Sequence, residues 1–535
     1  MTKYGNKTWA AWPFKPEMCA LLRGQSILLL LLLPSSRLTS FSIIVSGFQE
    51  GGTPLLSMTQ RTILFLIADT GAGHRSAANA ISHAITLLSQ EEQARWHMCM
   101  DERNKSEVEL STSDEAGSFS QGELAPPQYH IEIVDVFEQY SFFPLREITK
   151  LYGPAIRLSP QMYGKFFEHM DREDAVTTLT ALGRPFILKG LHDLILSVKP
   201  DIIVSVHPVI NYITMQVLRD MRLPIPFLTV VTDLISVHSA WFARGANGYV
   251  VPTEQARRAA LVKVGVNPEL VRVLGMPIHP SFASEIKSKK ELREQLGLEA
   301  NLPVVLLVGG GEGAGGLYTA VRAISQARLP VQLLVVAGRN KDLYTRLQRI
   351  RRQLHVPMRL FGFMQNMPEL MHASDVIVTK AGPGTICEAL ACGLPIILCG
   401  YVPGSESGNI AFVERNEVGI LAHNSRELVD ELRRLMKPGS PLLRRRRENA
   451  RRLSRPRAAF DIGEYILGHL PAPNEPGLWF RREIPDGARL VAYSKQLLHL
   501  TLFRPKQGGR SNETGKEHEK KAGKEKKSFK TPLLG

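Results

Sequence analysis

The stretch that decides the fold is Lys380-Ala381-Gly382-Pro383-Gly384-Thr385-Ile386-Cys387-Glu388-Ala389-Leu390. It follows an apolar run, residues 375–379, that predicts a short strand, and it leads into a helix predicted to begin near Thr385. Gly382 and Gly384 permit close backbone approach, and a helix N-terminus offers unpaired N–H groups and positive dipole charge. The pattern predicts either a phosphate site or a packing turn. Glu388, one turn into the helix, is placed for a ribose diol rather than for phosphates.

Short β-branched runs alternate with helical patterns from Arg61 onward, which is typical of parallel sheets covered on both faces. The first series of predicted strands is 62–68, 130–136, 201–206, 227–232, 248–251 and 271–274. The second series is 303–308, 331–337, 358–361, 375–379 and 395–398. The proline-rich joint 276–280 separates them. We therefore expect an α/β protein with two doubly wound domains facing each other across a cleft.

The domain boundaries follow from these series and from composition. Residues 1–57 are expected to be a leader outside the fold, because a seven-residue apolar run, 27–33, cannot span a bilayer. Residues 58–280 form the first domain, with a disordered insertion at about 101–127, and 281–440 form the second. A terminal basic helix is expected at 441–470, broken by Pro456, followed by a basic disordered tail at 471–535.

Composition narrows the class of protein. The 535 residues are 44% hydrophobic, which excludes a fibrous or wholly disordered chain. The net charge of +15 is concentrated near the C-terminus, where residues 441–460 hold eight arginines and one glutamate. Such charge suits an anionic membrane, a nucleic acid or a solvated tail, although the folded part lacks the basic surfaces interleaved with aromatics that nucleic acids require. Five cysteines without metal-ligand spacing favour a reducing compartment and predict no metal site.

The first strand leads into the sequence Asp69-Thr70-Gly71-Ala72-Gly73-His74-Arg75-Ser76. Gly71 and Gly73 bring backbone close to a ligand, and His74 falls at a helix start facing the strand-end crevice. An imidazole there can take a proton from a hydroxyl near neutral pH. The alternative is a packing turn with a polar helix-start residue. No Gly-Lys-Ser/Thr follows, so this is not a Walker loop.

Four loops at predicted strand ends of the second domain are expected to converge on a nucleotide. A fifth segment, residues 404–409, carries Glu406 and Asn409, which either bind sugar hydroxyls or cap a helix. The predicted donor-site residues are Gly309, Gly310, Gly311, Glu312, Gly313, Gly338, Asn340, Gly362, Phe363, Asn366, Met367, Lys380, Gly382, Pro383, Gly384, Thr385, Glu388, Glu406 and Asn409.

Colinear motifs from about Arg61 to Gly419 resemble the monogalactosyldiacylglycerol synthases and processive diacylglycerol glucosyltransferases, and more distantly the lipid-linked N-acetylglucosaminyltransferase of peptidoglycan synthesis. They include IADTGAGHRSAANAI, VSVHP, TVVTDL, VLGMPIHPSF, GGGEGAGG, KAGPGTICEAL and GSESGN. The resemblance implies a GT-B fold and metal-free, cofactor-free inverting transfer of a hexose, galactose favoured, from a UDP-sugar to the sn-3 hydroxyl of diacylglycerol. Alternatives are UDP-glucose as donor or a UDP-N-acetylglucosamine transfer to a polyprenyl-linked acceptor.

The resemblance also implies roles for particular residues. His74 is the catalytic base, with Asp69 or Asp233 orienting it, Glu388 holds the ribose, and Glu406 with Asn409 contacts the donor sugar. Ala72 and Ser405 stand where plant synthases usually have Gly and Gln, which bears on galactose against glucose.

A lipid acceptor requires contact with a membrane. The aromatic segment 140–167, with interspersed arginine and lysine, is expected to dip into an anionic interface or else to be core. The expected acceptor and membrane contacts are Gly71, Gly73, Phe142, Phe143, Tyr163 and Trp241. A peripheral protein on the cytoplasmic face of a bacterial membrane is favoured, or on a plastid envelope if the source is a photosynthetic eukaryote.

Overall fold

A computed structural model describes residues 60–69, 72–110, 126–150, 159–284, 287–309 and 316–470. The expectations for the leader, residues 1–57, and the tail, residues 471–535, lie outside these ranges. Both sheets belong to one compact unit. Within the described ranges, no helix combines the length and apolar character needed to cross a bilayer.

The first sheet contains six parallel strands in the order β2-β1-β3-β4-β5-β6. The strands are β1 Gln60–Ile67, β2 Gln128–Asp135, β3 Ile202–Ser205, β4 Phe227–Val230, β5 Gly248–Val251 and β6 Val271–Val273. The register pairs Ile63 with Ile202 and Leu228 with Gly248. The order reverses between β1 and β3, so the carboxyl ends of these strands open a crevice.

The second sheet has six parallel strands in the order β12-β11-β10-β7-β8-β9. They are β7 Val304–Val308, β8 Gln332–Val336, β9 Met358–Phe361, β10 Val376–Thr379, β11 Ile396–Leu398 and β12 Gly419–Leu421. Strands such as VVLLV and QLLVV are buried along their whole length, because helices cover both faces. The predicted α/β architecture of two Rossmann-like domains is confirmed. Strand β12, with three residues, was not predicted.

Helices α1 to α8 belong to the first half of the chain. They are α1 Ala72–Leu110, α2 Val136–Tyr140, α3 Leu145–Lys150, α4 Pro160–Met170, α5 Glu173–Gly183, α6 Leu188–Val198, α7 Pro208–Asp220 and α8 Glu254–Ala259. Helices α9 to α17 follow. They are α9 Lys289–Gln295, α10 Leu317–Gln326, α11 Lys341–Ile350, α12 Met367–Ala373, α13 Pro383–Ala391, α14 Ser407–Arg415, α15 Ser425–Met436, α16 Pro441–Leu453 and α17 Ala458–Leu467.

Two sequence-based boundaries require correction. Helix α1 continues to Leu110, so the insertion expected from residue 101 begins within a helix, and 111–125 lie outside the described residues. Helix α13 begins at Pro383 rather than Thr385, because proline suits the first helical position, where no N–H partner is needed. The terminal basic segment forms two helices separated at residues 454–457, in agreement with the interruption expected at Pro456.

The two terminal helices pack on different domains. Ala450 of α16 lies in the core of the second sheet, whereas Ile462 and Ile466 of α17 are fully buried in the core of the first. Burying each isoleucine contributes about 2 kcal/mol. The chain therefore crosses between the domains twice, at the joint 274–280 and again at 454–457.

Asp375, which precedes β10, fixes the outer helices of the second domain. Its carboxylate accepts hydrogen bonds from Arg293 at 2.6 Å, from Arg447 at 2.8 Å and from the Val304 amide at 2.9 Å. Lys289 adds an ion pair at 2.8 Å. These cations hold the pKa of Asp375 below its usual value despite burial. The carboxylate thus holds α9 and α16 against the sheet that carries the Lys380–Leu390 stretch.

Candidate functional site

His74 lies in the first turns of α1, at the carboxyl end of β1. Its Nδ1 is 3.1 Å from the Thr232 hydroxyl oxygen, just beyond β4, and its ring also donates to the Val206 carbonyl beyond β3. The His207 ring meets it edge-on, with 4.7 Å between centroids. Three neighbouring strand ends therefore position one imidazole at the crevice.

Removal of the His74 ring from water lowers its pKa to about 4, and the hydrogen bond to Val206 and the Asp69 charge oppose this only in part. Burial lowers the pKa of His207 too, and the neighbouring His74 adds to that effect. Both rings are neutral at pH 7. His74 is thus in the state that can accept a proton from a hydroxyl.

Neither carboxylate expected to orient His74 makes a hydrogen bond to it. Asp69 forms a two-pronged pair with Arg75, at 2.7 Å for the closest atoms, and acts on His74 only through its charge. Asp233 accepts a hydrogen bond from the Trp241 indole at 2.7 Å, and burial raises its pKa to about 6. The hydrogen-bond partners of the ring are instead the Thr232 hydroxyl and the Val206 carbonyl, and an orienting role for Asp69 or Asp233 stays a prediction.

Trp241 is also not a membrane contact. It is fully buried, and its ring lies 6.1 Å from His74 between centroids. It forms part of the wall behind the imidazole, held by Asp233. Tyr163 is partly buried beside Phe167, whereas Phe142 and Phe143 are exposed by 55% and 78%. Gly73 has open space where a side chain would be, and Gly71 lies outside the described residues.

Two predicted donor loops lie side by side at the end of the second sheet. A Cβ on Gly362 would lie 3.9 Å from the Gly338 carbonyl oxygen, and the Arg339 guanidinium stacks 4.7 Å from the Phe363 ring centre. Phe363 is 53% exposed, which leaves a planar surface available for stacking of a nucleotide base.

Other predicted members of these loops have structural partners or are not described. Asn340 caps α11 by accepting from the Leu343 amide, and Asn366 donates to Glu369 at 2.8 Å. Met367 begins α12 and is partly buried. Gly309 is buried after β7, while Gly310, Gly311, Glu312 and Gly313 lie outside the described residues.

The N-terminus of α13 has the geometry of an anion site. Gly382 is its N-cap, Pro383 and Gly384 follow, and no atom outside the adjacent residues and the helix's own backbone lies within 4 Å of the position a Gly384 Cβ would take. The first amides of a helix have no acceptor within the helix itself, which favours an anion at this end. Burial raises the pKa of Glu388 to about 7. Two ribose hydroxyls would supply the hydrogen bonds that favour its ionised form.

Glu406 is 6% exposed and closes this site from the side. One oxygen pairs with the Lys380 ammonium, and the other accepts from the Val402 amide at 2.8 Å. Asn409 is 1% exposed and donates to the Ala381 carbonyl at 2.9 Å. The side chain of Asn409 therefore supports the Lys380–Gly384 turn through its NH2 group, while its buried Oδ1 has no hydrogen-bond partner among the described residues. Its expected contact with the sugar stays a prediction.

The two domains touch beside this cluster. The Gly408 amide, in α14, donates to the Ser236 hydroxyl at 3.1 Å, and a Cβ on Gly408 would lie 2.5 Å from the same oxygen. Ser236 lies four residues after Thr232. The segment from Thr232 to Ser236 thus joins the partner of His74 to the helix that follows Glu406.

Sequence reasoning missed Thr232 and His207 as parts of the site. The signal was present, because the motifs TVVTDL and VSVHP place both residues at the carboxyl ends of predicted strands, as DTGAGH places His74 after the first strand. Polar residues after neighbouring parallel strands meet at one edge of the sheet.

A cavity of about 190 Å³ lies elsewhere, at the joint between the domains. Its walls include Gly275, Met276, Leu453 and Arg455 from the two crossings, and Cys387 and Leu390 from α13. None of the predicted donor-site or catalytic residues lines it, so it is separate from the crevice.

The fold and the site together define a glycosyltransferase of the GT-B class, with a neutral imidazole at the edge of one Rossmann-like sheet and a glycine-rich helix N-terminus at the edge of the other. Residues 123–278 match the "Monogalactosyldiacylglycerol (MGDG) synthase" family, and residues 304–455 match the "Glycosyltransferase family 28 C-terminal domain". The chain belongs to the monogalactosyldiacylglycerol synthase family.

Relatives of known sequence support this assignment. The chain is 35% identical over 426 residues to probable monogalactosyldiacylglycerol synthase 2, chloroplastic, of Oryza sativa subsp. japonica, covering 77% of this chain and 82% of the relative. It is 34% identical to monogalactosyldiacylglycerol synthase 3, chloroplastic, of Arabidopsis thaliana, covering 75% and 80%. Among solved structures, it is similar to MurG of Acinetobacter baumannii, at 14% identity, a TM-score of 0.45 and coverage of 76% and 99%.

Proposed function

We propose that this protein transfers galactose from UDP-galactose to the sn-3 hydroxyl of diacylglycerol, with inversion, to make a β-galactosyldiacylglycerol. Family membership supports the reaction class and both substrates. The observation that carries the proposal is the series of contacts that leads from His74 through Thr232 and Ser236 to Gly408. These contacts link the proposed base to α14, the helix that follows Glu406.

The acceptor hydroxyl loses its proton to His74 while its oxygen attacks the anomeric carbon from the face opposite the diphosphate. The bond from that carbon to the diphosphate breaks, and UDP leaves with the electron pair. Amides at the start of α13 meet the growing charge on the diphosphate, so the scheme assigns no step to a metal ion or cofactor. The Val206 carbonyl and the Asp69 charge stabilise the imidazolium that forms.

Donor recognition divides between two carboxylates. Glu388, with its raised pKa, is assigned to the ribose diol, which is common to UDP-galactose and UDP-glucose. Glu406, placed by Lys380 and Val402, is assigned to the wall that meets the hexose. The names of the relatives favour galactose over the alternatives of a glucose donor or a polyprenyl-linked acceptor.

The acceptor would be reached from a membrane surface formed by Phe142, Phe143, Met162 and Phe166. Their exposed fractions are 55%, 78%, 71% and 59%, and two cations close to them in sequence, Arg146 and Lys165, are exposed as well. Large apolar side chains in water beside cations suit an anionic lipid interface. The relatives are named as chloroplastic proteins, which favours the plastid envelope and lends no support to a bacterial membrane.

The decisive experiment offers purified protein diacylglycerol with either UDP-galactose or UDP-glucose, and identifies the glycolipid by mass, sugar analysis and anomeric coupling. We expect a β-galactolipid. A glucolipid alone would overturn the choice of donor, and an α-linked product would overturn the direct inverting mechanism.

A further inference from the structure

Helix α4, Pro160–Met170, presents opposite faces to different surroundings. Met162 and Phe166, four residues apart, are 71% and 59% exposed. Gly164, between them in sequence, is buried, and Phe167 is partly buried. One face therefore belongs to the membrane surface named above, and the other packs into the protein.

The inward face contacts the second domain at the loop before Glu406. A Cβ on Gly164 would lie 2.9 Å from the Pro403 Cβ and 3.3 Å from its carbonyl carbon. A Cβ on Gly404 would lie 3.1 Å from the Phe167 ring and 3.3 Å from the Gly164 Cα. The backbone of α4 at Gly164 thus packs so closely against the loop at Pro403 and Gly404 that there is no room for a methyl group on either glycine.

That loop forms the side of the donor site. The Val402 amide donates to Glu406, and the Gly404 amide donates to the Ser407 hydroxyl at 3.0 Å. Gly404 itself has a φ of +84°, a conformation that favours glycine. A shift of Pro403 or Gly404 would therefore move the carboxylate that pairs with Lys380.

The C-terminal end of α4 is held by the first domain. Asp171, its C-cap, accepts from the Ser239 amide at 2.7 Å and pairs with Lys263 at 2.5 Å. Phe167 meets the His238 ring at 5.0 Å. The helix is therefore a fixed part of the acceptor domain that leans on the donor-site loop.

We propose that α4 couples docking on a lipid surface to donor binding, through the contact of Gly164 with Pro403 and Gly404. This inference rests on the proposed function. When Met162 and Phe166 insert into a bilayer, α4 is held in the position in which its opposite face packs against Pro403 and Gly404. When a nucleotide sugar is bound, the loop that contains Pro403 and Gly404 is held in the position in which it packs against α4. Thermodynamic linkage then requires that the lipid surface raise the affinity for the nucleotide sugar by the same factor by which the nucleotide sugar raises the affinity for the lipid surface.

The test measures the dissociation constant of UDP by calorimetry, with and without vesicles of phosphatidylcholine containing a minor share of phosphatidylserine. For the unchanged protein we expect vesicles to tighten UDP binding by about five-fold or more, the lower range of ordinary coupling. For Gly164→Ala we expect vesicle adsorption to persist and this tightening to disappear. The matched control is Gly183→Ala in α5, where the nearest atom to a new Cβ is Leu145 Cδ2 at 4.0 Å.

A second variant leaves the packed face intact. Met162→Ser with Phe166→Ser should bind UDP without vesicles as tightly as the unchanged protein, yet show no response to vesicles. Equal UDP affinity with and without adsorbed vesicles in the unchanged protein would overturn the coupling, as would a full response in Gly164→Ala. Galactose transfer to diacylglycerol in detergent micelles is assayed separately, so a lost coupling and a wrong activity are distinguished.

Discussion

The His74 imidazole and the Thr232 hydroxyl lie 3.1 Å apart, although 158 residues separate them in sequence. Adjacent helix and strand ends bring them together, and the base of the proposed reaction thus has a neutral hydroxyl rather than a carboxylate as its side-chain hydrogen-bond partner. A neutral partner leaves the imidazole pKa low, because it offers little compensation for burial.

Thr232→Val is expected to lower kcat by about five-fold while KM for the donor changes little. The substitution keeps the shape of the side chain and removes one hydrogen bond of about 1 kcal/mol. Steady-state kinetics provide the measurement. Thr229→Val is the matched control, because Thr229 is buried in β4, just before Thr232, with a hydroxyl that has no hydrogen-bond partner. Equal losses in both variants would contradict the orienting role of Thr232.

His74→Ala is expected to reduce galactose transfer by at least about 100-fold, the usual contribution of a general base, while UDP binding stays nearly unchanged. Calorimetry with UDP measures the binding, and a radiolabelled assay measures the galactose transfer. A variant with wild-type turnover would remove His74 from the mechanism.

Donor affinity should depend on pH through Glu388, whose pKa is raised to about 7. The ionised carboxylate is the better acceptor for ribose hydroxyls, so binding of UDP-galactose should tighten from about pH 6 to about pH 8. The diester diphosphate of the ligand does not titrate in this range. Glu388→Gln should bind more weakly and lose the pH dependence, and a pH response retained in this variant would assign it to another group.

Folding stability should fall in mild acid because of His74. Its pKa is about 4 in the folded protein, against the ordinary 6.5, so the unfolded chain takes up the proton first. The stability contributed by the neutral ring is complete above about pH 6.5 and is lost as the pH falls towards 4. Relative to His74→Gln, wild type should lose at most about 1.4 kcal/mol per pH unit across this window. Urea unfolding at several pH values measures the free energy of unfolding of both proteins. The same pH dependence of this free energy in wild type and in His74→Gln would refute the prediction.

Lys380→Met is expected to impair both donor use and stability, because it leaves the buried Glu406 carboxylate without its cation. The free energy of unfolding should fall by up to about 3 kcal/mol, and KM for the donor should rise. Lys290→Met, at an exposed position in α9, is the control and should change neither. Unaltered stability in Lys380→Met would mean that Glu406 needs no compensation from this cation.

Much of the fold was predictable because parallel strands buried on both faces appear as continuous apolar runs, as in residues 303–308 and 375–379. Strand β12, Gly419–Leu421, escaped because it is short and begins with glycine, a residue depleted in strands. The long extent of α1 escaped because its polar, acidic second half has the composition of a disordered segment.

The site was predictable in part. His74 follows a strand and begins a helix, so its place at the crevice could be expected. The inward position of Trp241 could not, because composition does not say which way an aromatic side chain points. The hydrogen bond of His74 with Thr232 rather than with Asp69 or Asp233 also depends on contacts between distant strands, which spacing along the chain does not record.

The two crossings between the domains lie against each other. Gly275, with a φ of +103°, leaves room for Arg455 and Ala458, whose side-chain atoms would lie 3.0 and 2.9 Å from a Cβ there, and Arg455 donates to the Val273 carbonyl. Two covalent links joined at one place behave as a pivot. We therefore expect the two domains to rotate about this point more easily than they slide past each other, and such a rotation would move His74 along an arc relative to α13.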